Sequence, residues 1–200
     1  MKDKIKKFVE ENYVNNSKKF IPGETIIPPS GKLVGKEEVQ SMIEASLDAW
    51  LTTGRFNTEF QNELSNFLKV KHLITVNSGS SANLVAFSSL TSHLHKEKAI
   101  KPGDEVITVA AGFPTTVNPI FQNGAVPVFV DVKFPTYNIN EELIEEAITE
   151  KTKAIMLAHT LGNPFNLDKV TKICKKHNFW LVEDNCCLLY TSPSPRDGLL

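Results

Sequence analysis

The chain has 200 residues, 41% of them hydrophobic and 22% charged. That is enough apolar surface for one sizeable core, and enough length for one large domain or two small ones. With 22 basic and 23 acidic residues the formal net charge is -1, so nothing draws the chain to a nucleic-acid backbone or an anionic membrane surface.

The N-terminus, MKDKIKKFVEENYVNN, carries lysines but no apolar core or small-residue cleavage site of a secretory signal, and no later run approaches a membrane span. The expectation is a cytoplasmic protein with no membrane partner. An extended Pro-rich stretch, IPGETIIPPSGK, then precedes KEEVQSMIEASLDAWL and TEFQNELSNFLKV, whose apolar residues recur at helical spacing. Residues 1–70 are therefore expected to form an N-terminal arm and two helices packed on a main domain.

From His72 onward short β-rich runs alternate with helical ones: HLITVN, SSANLVAFSSLTSHLH, EVITVA, TTVNPIFQNG, VPVFVDV, EELIEEAITE, AIMLAHT, LDKVTKICKKH and FWLVED. Repeated β-α order predicts an α/β fold, a mainly parallel sheet with helices on both faces. The near-continuous apolar runs suit strands covered on both sides. Right-handed crossovers bring every strand's carboxyl end to one edge, where active sites of open α/β sheets collect. Residues 71–186 are expected to be this domain, and EELIEE a solvated helix face.

The three cysteines, Cys174, Cys186 and Cys187, are too few and too bunched for a disulfide framework. CKKH lacks a second ligand pair for zinc, so no metal site is expected. After Cys186 the pattern dissolves into CLLYTSPSPRDGLL, which has no periodic apolar face. Residues 187–200 read either as a disordered peptide or, the favoured reading, as non-native sequence from adapter read-through, to be kept out of fold reasoning.

Three places carry the signals of chemistry. In VNSGSSANLVAF, Gly79 permits a tight turn, Ser78 or Ser80 can cap the helix, and the Ser80 and Ser81 amides lie at its N-terminus, a ready site for a phosphate. Taken alone this is weak, since a Ser-rich cap more often binds nothing, and neither a P-loop nor a dinucleotide fingerprint is present. In AAGFPTTVNP, Phe113 sits on a loop at the same edge; such a ring is usually core, but over an anion site it can stack on a planar ring. Asp184 ends FWLVED, where a carboxylate is costly without a positive partner. Lysine or arginine would serve, yet beside a phosphate cradle and a stacking ring it suits a protonated pyridine nitrogen. His159 and Asn163 lie at the same edge but read more simply as hydrogen-bonded strand-end and turn residues, and Glu183 is given no role.

With NSGSSAN, AAGFPTTVNP, PVFVDV, AHTLGNP and VEDNC in that order, the chain resembles the DegT/StrS family of sugar-nucleotide aminotransferases. The match runs from about Ile27 to Cys186. The resemblance implies the large domain of a fold-type I pyridoxal phosphate enzyme, three-layered and here incomplete. It places Gly79, Ser80 and Ser81 at the cofactor phosphate, Phe113 over the ring, and Asp184 at the pyridinium nitrogen.

The wording WLTTGRF, VNSGSSAN, AAGFPTTVNP and VEDNC is most similar to the CDP-4-keto-6-deoxy-glucose 3-dehydratase branch of lipopolysaccharide and dideoxysugar biosynthesis. That branch uses pyridoxamine phosphate on a nucleotide-sugar substrate, with histidine replacing the Schiff-base lysine. The resemblance further implies a homodimer and, for a full-length parent only, an iron-sulfur cluster and a reductase partner. The segment bearing the lysine or histidine lies beyond the point where the resemblance stops. No catalytic base is therefore assigned, none of the cysteines is taken as a cluster ligand, and the chain by itself is expected to be inactive. The alternatives are a true aminotransferase of the same family and a non-catalytic binding or regulatory protein on the same scaffold.

Overall fold

A computed structural model describes residues 2–14, 20–27 and 34–186. The chain divides into two compact units, Met1–Thr75 and Val76–Leu200. The suspected read-through tail, Cys187 included, lies outside the described residues, as does part of the Pro-rich stretch.

The first unit holds three helices. Helix α1 (Lys2–Asn12) was not among the expected elements, because its run of lysines and glutamates hides the apolar spacing; Val9 is its buried anchor. Helices α2 (Lys36–Leu47) and α3 (Arg55–Leu68) match the two periodic segments. Glu38 reaches back to accept the Gly35 N–H at 2.6 Å, satisfying a donor that the start of α2 would otherwise leave open. Helix α3 ends at Lys69 in the left-handed conformation. Between the two helices, Asp48 accepts from Arg55 at 2.7 Å and holds the guanidinium pKa above its ordinary value.

The second unit is the α/β domain. In chain order it comprises α4 (Gly79–Ser89), β1 (Glu105–Val109), α5 (Pro114–Gln122), β2 (Val126–Val130), β3 (Thr152–Ala158), α6 (Leu167–His177) and β4 (Trp180–Asp184). The four strands lie in the order β2-β1-β3-β4, all parallel. The chain steps from β1 to β2 on one side, then returns across the sheet to β3 and on to β4. Strand order thus reverses between β1 and β3, the place where a crevice opens at the carboxyl ends of an open α/β sheet.

Alternation along the strands assigns the faces. Val106, Ala154 and Met156 pack with Phe87 of α4 and Ile120 of α5, whereas Ile107, Ile155 and Leu157 pack with Val170 and Ile173 of α6. The sheet is therefore the middle of three layers, as expected.

Two expectations fail. HLITVN forms no strand: Ile74 is 74% exposed, and no ladder partner for this run exists among the described residues. Its β-branched residues favour extension, but an extended segment becomes a strand only beside a neighbour. EELIEEAITE is not a helix either and retains a single 3-10 turn, Glu145–Ala147.

Nor is the acidic segment a uniformly solvated face. Glu141 is 2% exposed, pairs with Lys133 and accepts the Asn166 N–H at 2.9 Å. Burial pushes the Glu141 pKa up, but these two hydrogen bonds outweigh it and hold the pKa below the ordinary value. With Ile139 and Ile144 also buried, the segment is anchored in the domain by its side chains at several points.

Candidate active site

Helix α4 starts with Ser78 as its cap: the Ser78 hydroxyl accepts the Ser81 N–H at 3.1 Å. This resolves the choice left open between Ser78 and Ser80, and it changes what Ser81 offers. The Ser81 amide is engaged by the cap, and its hydroxyl donates to Asn77 Oδ1 at 2.7 Å. Ser80, in contrast, has no side-chain partner among the described residues. Gly79 does not make the tight turn expected of it, since it occupies the first helical position outside the left-handed region. No atom lies within 4 Å of where its Cβ would be, which leaves that side of the helix start open to approach. Ser80 and Ser81 line a small hollow of about 150 Å³ with Thr115, Asn118 and Gln122 of α5.

Helix α5 begins at the Gly-Phe-Pro turn. Pro114 occupies its first position, where a missing N–H costs nothing, and Phe113 is the N-cap residue. Phe113 is 70% exposed and is not part of the core. An aromatic ring so placed at the carboxyl end of β1 is available to cover a bound planar group.

Asp184 closes β4 and is 8% exposed. Its Oδ2 accepts from Asn83 Nδ2 and from Thr116 Oγ1, each at 2.7 Å, and its Oδ1 accepts the Cys186 N–H at 3.1 Å. All three donors are neutral. Among the described residues no cationic side chain pairs with this buried carboxylate, which its three neutral donors hold in place and which still has room for a positive partner. A protonated pyridine nitrogen is such a group, so the residues present fit the expected cofactor.

Sequence reasoning missed Asn83 and Thr116. Both are polar residues buried in helices, at 8% and 1% exposure, and a polar side chain on an inward helix face is the signal that would have found them.

The remaining candidates are occupied structurally. His159 is buried at the end of β3, and its Nε2 lies 3.1 Å from Glu183 Oε2, so Glu183 pairs with a neighbour and needs no further role. In the loop that follows His159, the Asn163 side-chain amide donates across to the Thr136 carbonyl, between β2 and β3, at 3.3 Å. Cys174 is buried and Cys186 exposed, and burial pushes the Cys174 thiol up to about 11. Among the described residues no cluster of histidine, cysteine or carboxylate could hold a metal, and no helix is long and apolar enough to cross a membrane.

The three-layer fold, with its parallel central sheet, matches solved structures of pyridoxal phosphate enzymes. Residues 33–192 match the DegT/DnrJ/EryC1/StrS aminotransferase family, and the chain belongs to that family. It is 57% identical over 195 residues to the lipopolysaccharide biosynthesis protein RfbH of Salmonella typhimurium, covering 96% of this chain and 44% of that protein. It is 48% identical over 186 residues to the dTDP-4-dehydro-2,6-dideoxy-D-glucose 3-dehydratase of Saccharopolyspora spinosa, covering 92% of this chain and 40% of the relative. Among solved structures it is similar to a GDP-4-keto-6-deoxymannose-3-dehydratase holding a trapped PLP-glutamate geminal diamine. That match has 36% identity and a TM-score of 0.66, over 73% of this chain and 38% of the other. The chain thus spans less than half the length of these relatives.

Proposed function

We propose that this chain is the N-terminal part of a sugar-nucleotide enzyme that uses pyridoxal or pyridoxamine phosphate, and that the whole protein is a 3-dehydratase of a 4-keto-6-deoxy sugar. The observation that carries the reading is Asp184, a buried carboxylate at the carboxyl edge of the sheet with three neutral donors and no cationic partner among the described residues. The names of the relatives, two of them 3-dehydratases, support the reaction class. A CDP-linked sugar is the proposed substrate.

Each residue has a definite task in this reading. The open start of α4, with Gly79, the Ser80 amide and hydroxyl and neighbouring Ser81, receives the phosphate, favoured by the partial positive charge of about one half at a helix N-terminus. Phe113 covers the ring. Asp184 accepts the proton-bearing ring nitrogen and holds its positive charge. When bound, the cofactor supplies an electron sink for loss of the sugar C3 hydroxyl. A homodimer and, in the full-length protein, an iron-sulfur cluster, a reductase partner and a cytoplasmic location complete the proposal, with the catalytic base left unassigned. The chain alone is expected to lack turnover.

The test is cofactor uptake by the full-length protein and its Asp184→Ala variant, read from the bound-cofactor absorption band. Binding by the parent and its loss in the variant is the expected result; a variant with unaltered spectrum and turnover would overturn the assignment. Reading the gene at the Schiff-base position separates the dehydratase, with histidine, from an aminotransferase, with lysine.

A further inference from the structure

Helix α4 does two things within one turn. Its first residues, Gly79 to Ser81, form the open N-terminus, and Asn83, three residues after Ser80, turns inward and donates to Asp184 Oδ2 at 2.7 Å. Asn83 Nδ2 also lies 3.2 Å from the Thr115 carbonyl, tying α4 to the start of α5. The next residue, Thr116, donates its hydroxyl to the same Oδ2 at 2.7 Å. Two strong donors therefore converge on one carboxylate oxygen, while the other accepts a single main-chain N–H.

We infer that Asn83 and Thr116 are positioning residues for the cofactor ring: by occupying Oδ2 they fix the Asp184 carboxylate in one orientation and leave Oδ1 as the acceptor for the ring N–H. The inference rests on the cofactor reading above. A carboxylate free to rotate would present either oxygen and lose orientation as the cofactor enters. Two donors from two helices remove that freedom beforehand, so the binding free energy is not spent on ordering the site. Because Asn83 and the phosphate-receiving turn belong to one rigid helix, the distance from anion site to carboxylate is set by helix geometry. Neither donor carries charge, so the positive charge that Asp184 requires remains for the ligand to bring.

The test uses the full-length protein with pyridoxal phosphate labelled at the ring nitrogen, comparing the parent with Thr116→Val, Asn83→Ala and Thr116→Ser. Valine keeps the shape of threonine and removes only the hydroxyl. The readouts are cofactor affinity and the heteronuclear NMR position of the ring nitrogen, which reports its protonation. Thr116→Val and Asn83→Ala are expected to weaken binding roughly tenfold, the effect of losing one hydrogen bond to a charged group. Both should move the nitrogen signal toward the unprotonated position, and Thr116→Ser should restore it.

A merely structural role would leave the nitrogen signal in place. Thr116→Val with unaltered affinity and unaltered signal would overturn the inference while leaving the cofactor reading intact. Failure of the parent to bind pyridoxal phosphate would overturn both. Should Asn83→Ala fail to fold, the Thr116→Val and Thr116→Ser pair decides alone.

Discussion

The imidazole of His159 lies flat against the ring of Phe165, with centroids 4.3 Å apart and planes only 5° from parallel. Its Nε2 meets Glu183 at 3.1 Å, and its Nδ1 is buried with no partner among the described residues. The histidine is thus clamped between a ring and a carboxylate on the neighbouring strand. Glu183→Ala should leave both ring nitrogens buried and unpaired, lowering unfolding free energy by about 1–3 kcal/mol. Urea unfolding followed by circular dichroism measures it; an unshifted midpoint would show that the Glu183 contact is dispensable.

Glu141 gives the domain a pH dependence of known sign. Burial raises its pKa, but hydrogen bonds from Lys133 and the Asn166 N–H more than offset that, so the folded value lies below the ordinary 4.5. A depressed folded value contributes stability above the ordinary value and loses it as pH falls through the folded one. Glu141→Gln should therefore cost about 1–3 kcal/mol at neutral pH and progressively less on acidification. Unfolding midpoints of both proteins across an acid pH series should converge; a constant gap would contradict this origin.

Cys174 and Cys186 differ in reactivity by environment. Burial holds the Cys174 thiol at about 11, so almost none is thiolate at neutral pH, whereas Cys186 is exposed. Iodoacetamide at neutral pH should modify Cys186 and spare Cys174 until denaturant is added, as read by peptide mass spectrometry. Equal labelling of the two in the folded chain would show that the α6 packing around Cys174 opens readily.

The Ser78 cap is testable apart from any ligand. Ser78→Ala removes the acceptor of the Ser81 N–H and should cost about 1 kcal/mol, with Ser78→Gly costing only a few tenths. Thermal or urea unfolding of the three proteins distinguishes this ordering from a uniform loss.

Much of the site was legible because its signals are local. A serine before a helix, a Gly-Phe-Pro turn and an aspartate at the end of an apolar run each announce a backbone geometry within a few residues, and Ser78, Phe113 and Asp184 occupy those geometries. Gly79 permits a tight turn that the chain does not make, because a glycine in a sequence signals freedom, not its use, and here the backbone is helical. His72–Asn77 and the acidic run from Glu141 misled for the opposite reason. Their local preferences are clear, but a missing sheet neighbour in one case and buried side-chain partners in the other decide the outcome.

The β-α alternation from β1 to β4 and the parallel sheet it requires were written in periodicity and punctuation, which act over a few residues. Which groups meet across the fold was not. Asn83 and Asp184 are 101 residues apart, and Thr116 and Asp184 68 apart. Only the strand reversal between β1 and β3, together with the docking of α4 and α5 on one face, brings their side chains to a single carboxylate oxygen. Such contacts depend on crossover direction and packing, which no local stretch of residues encodes by itself.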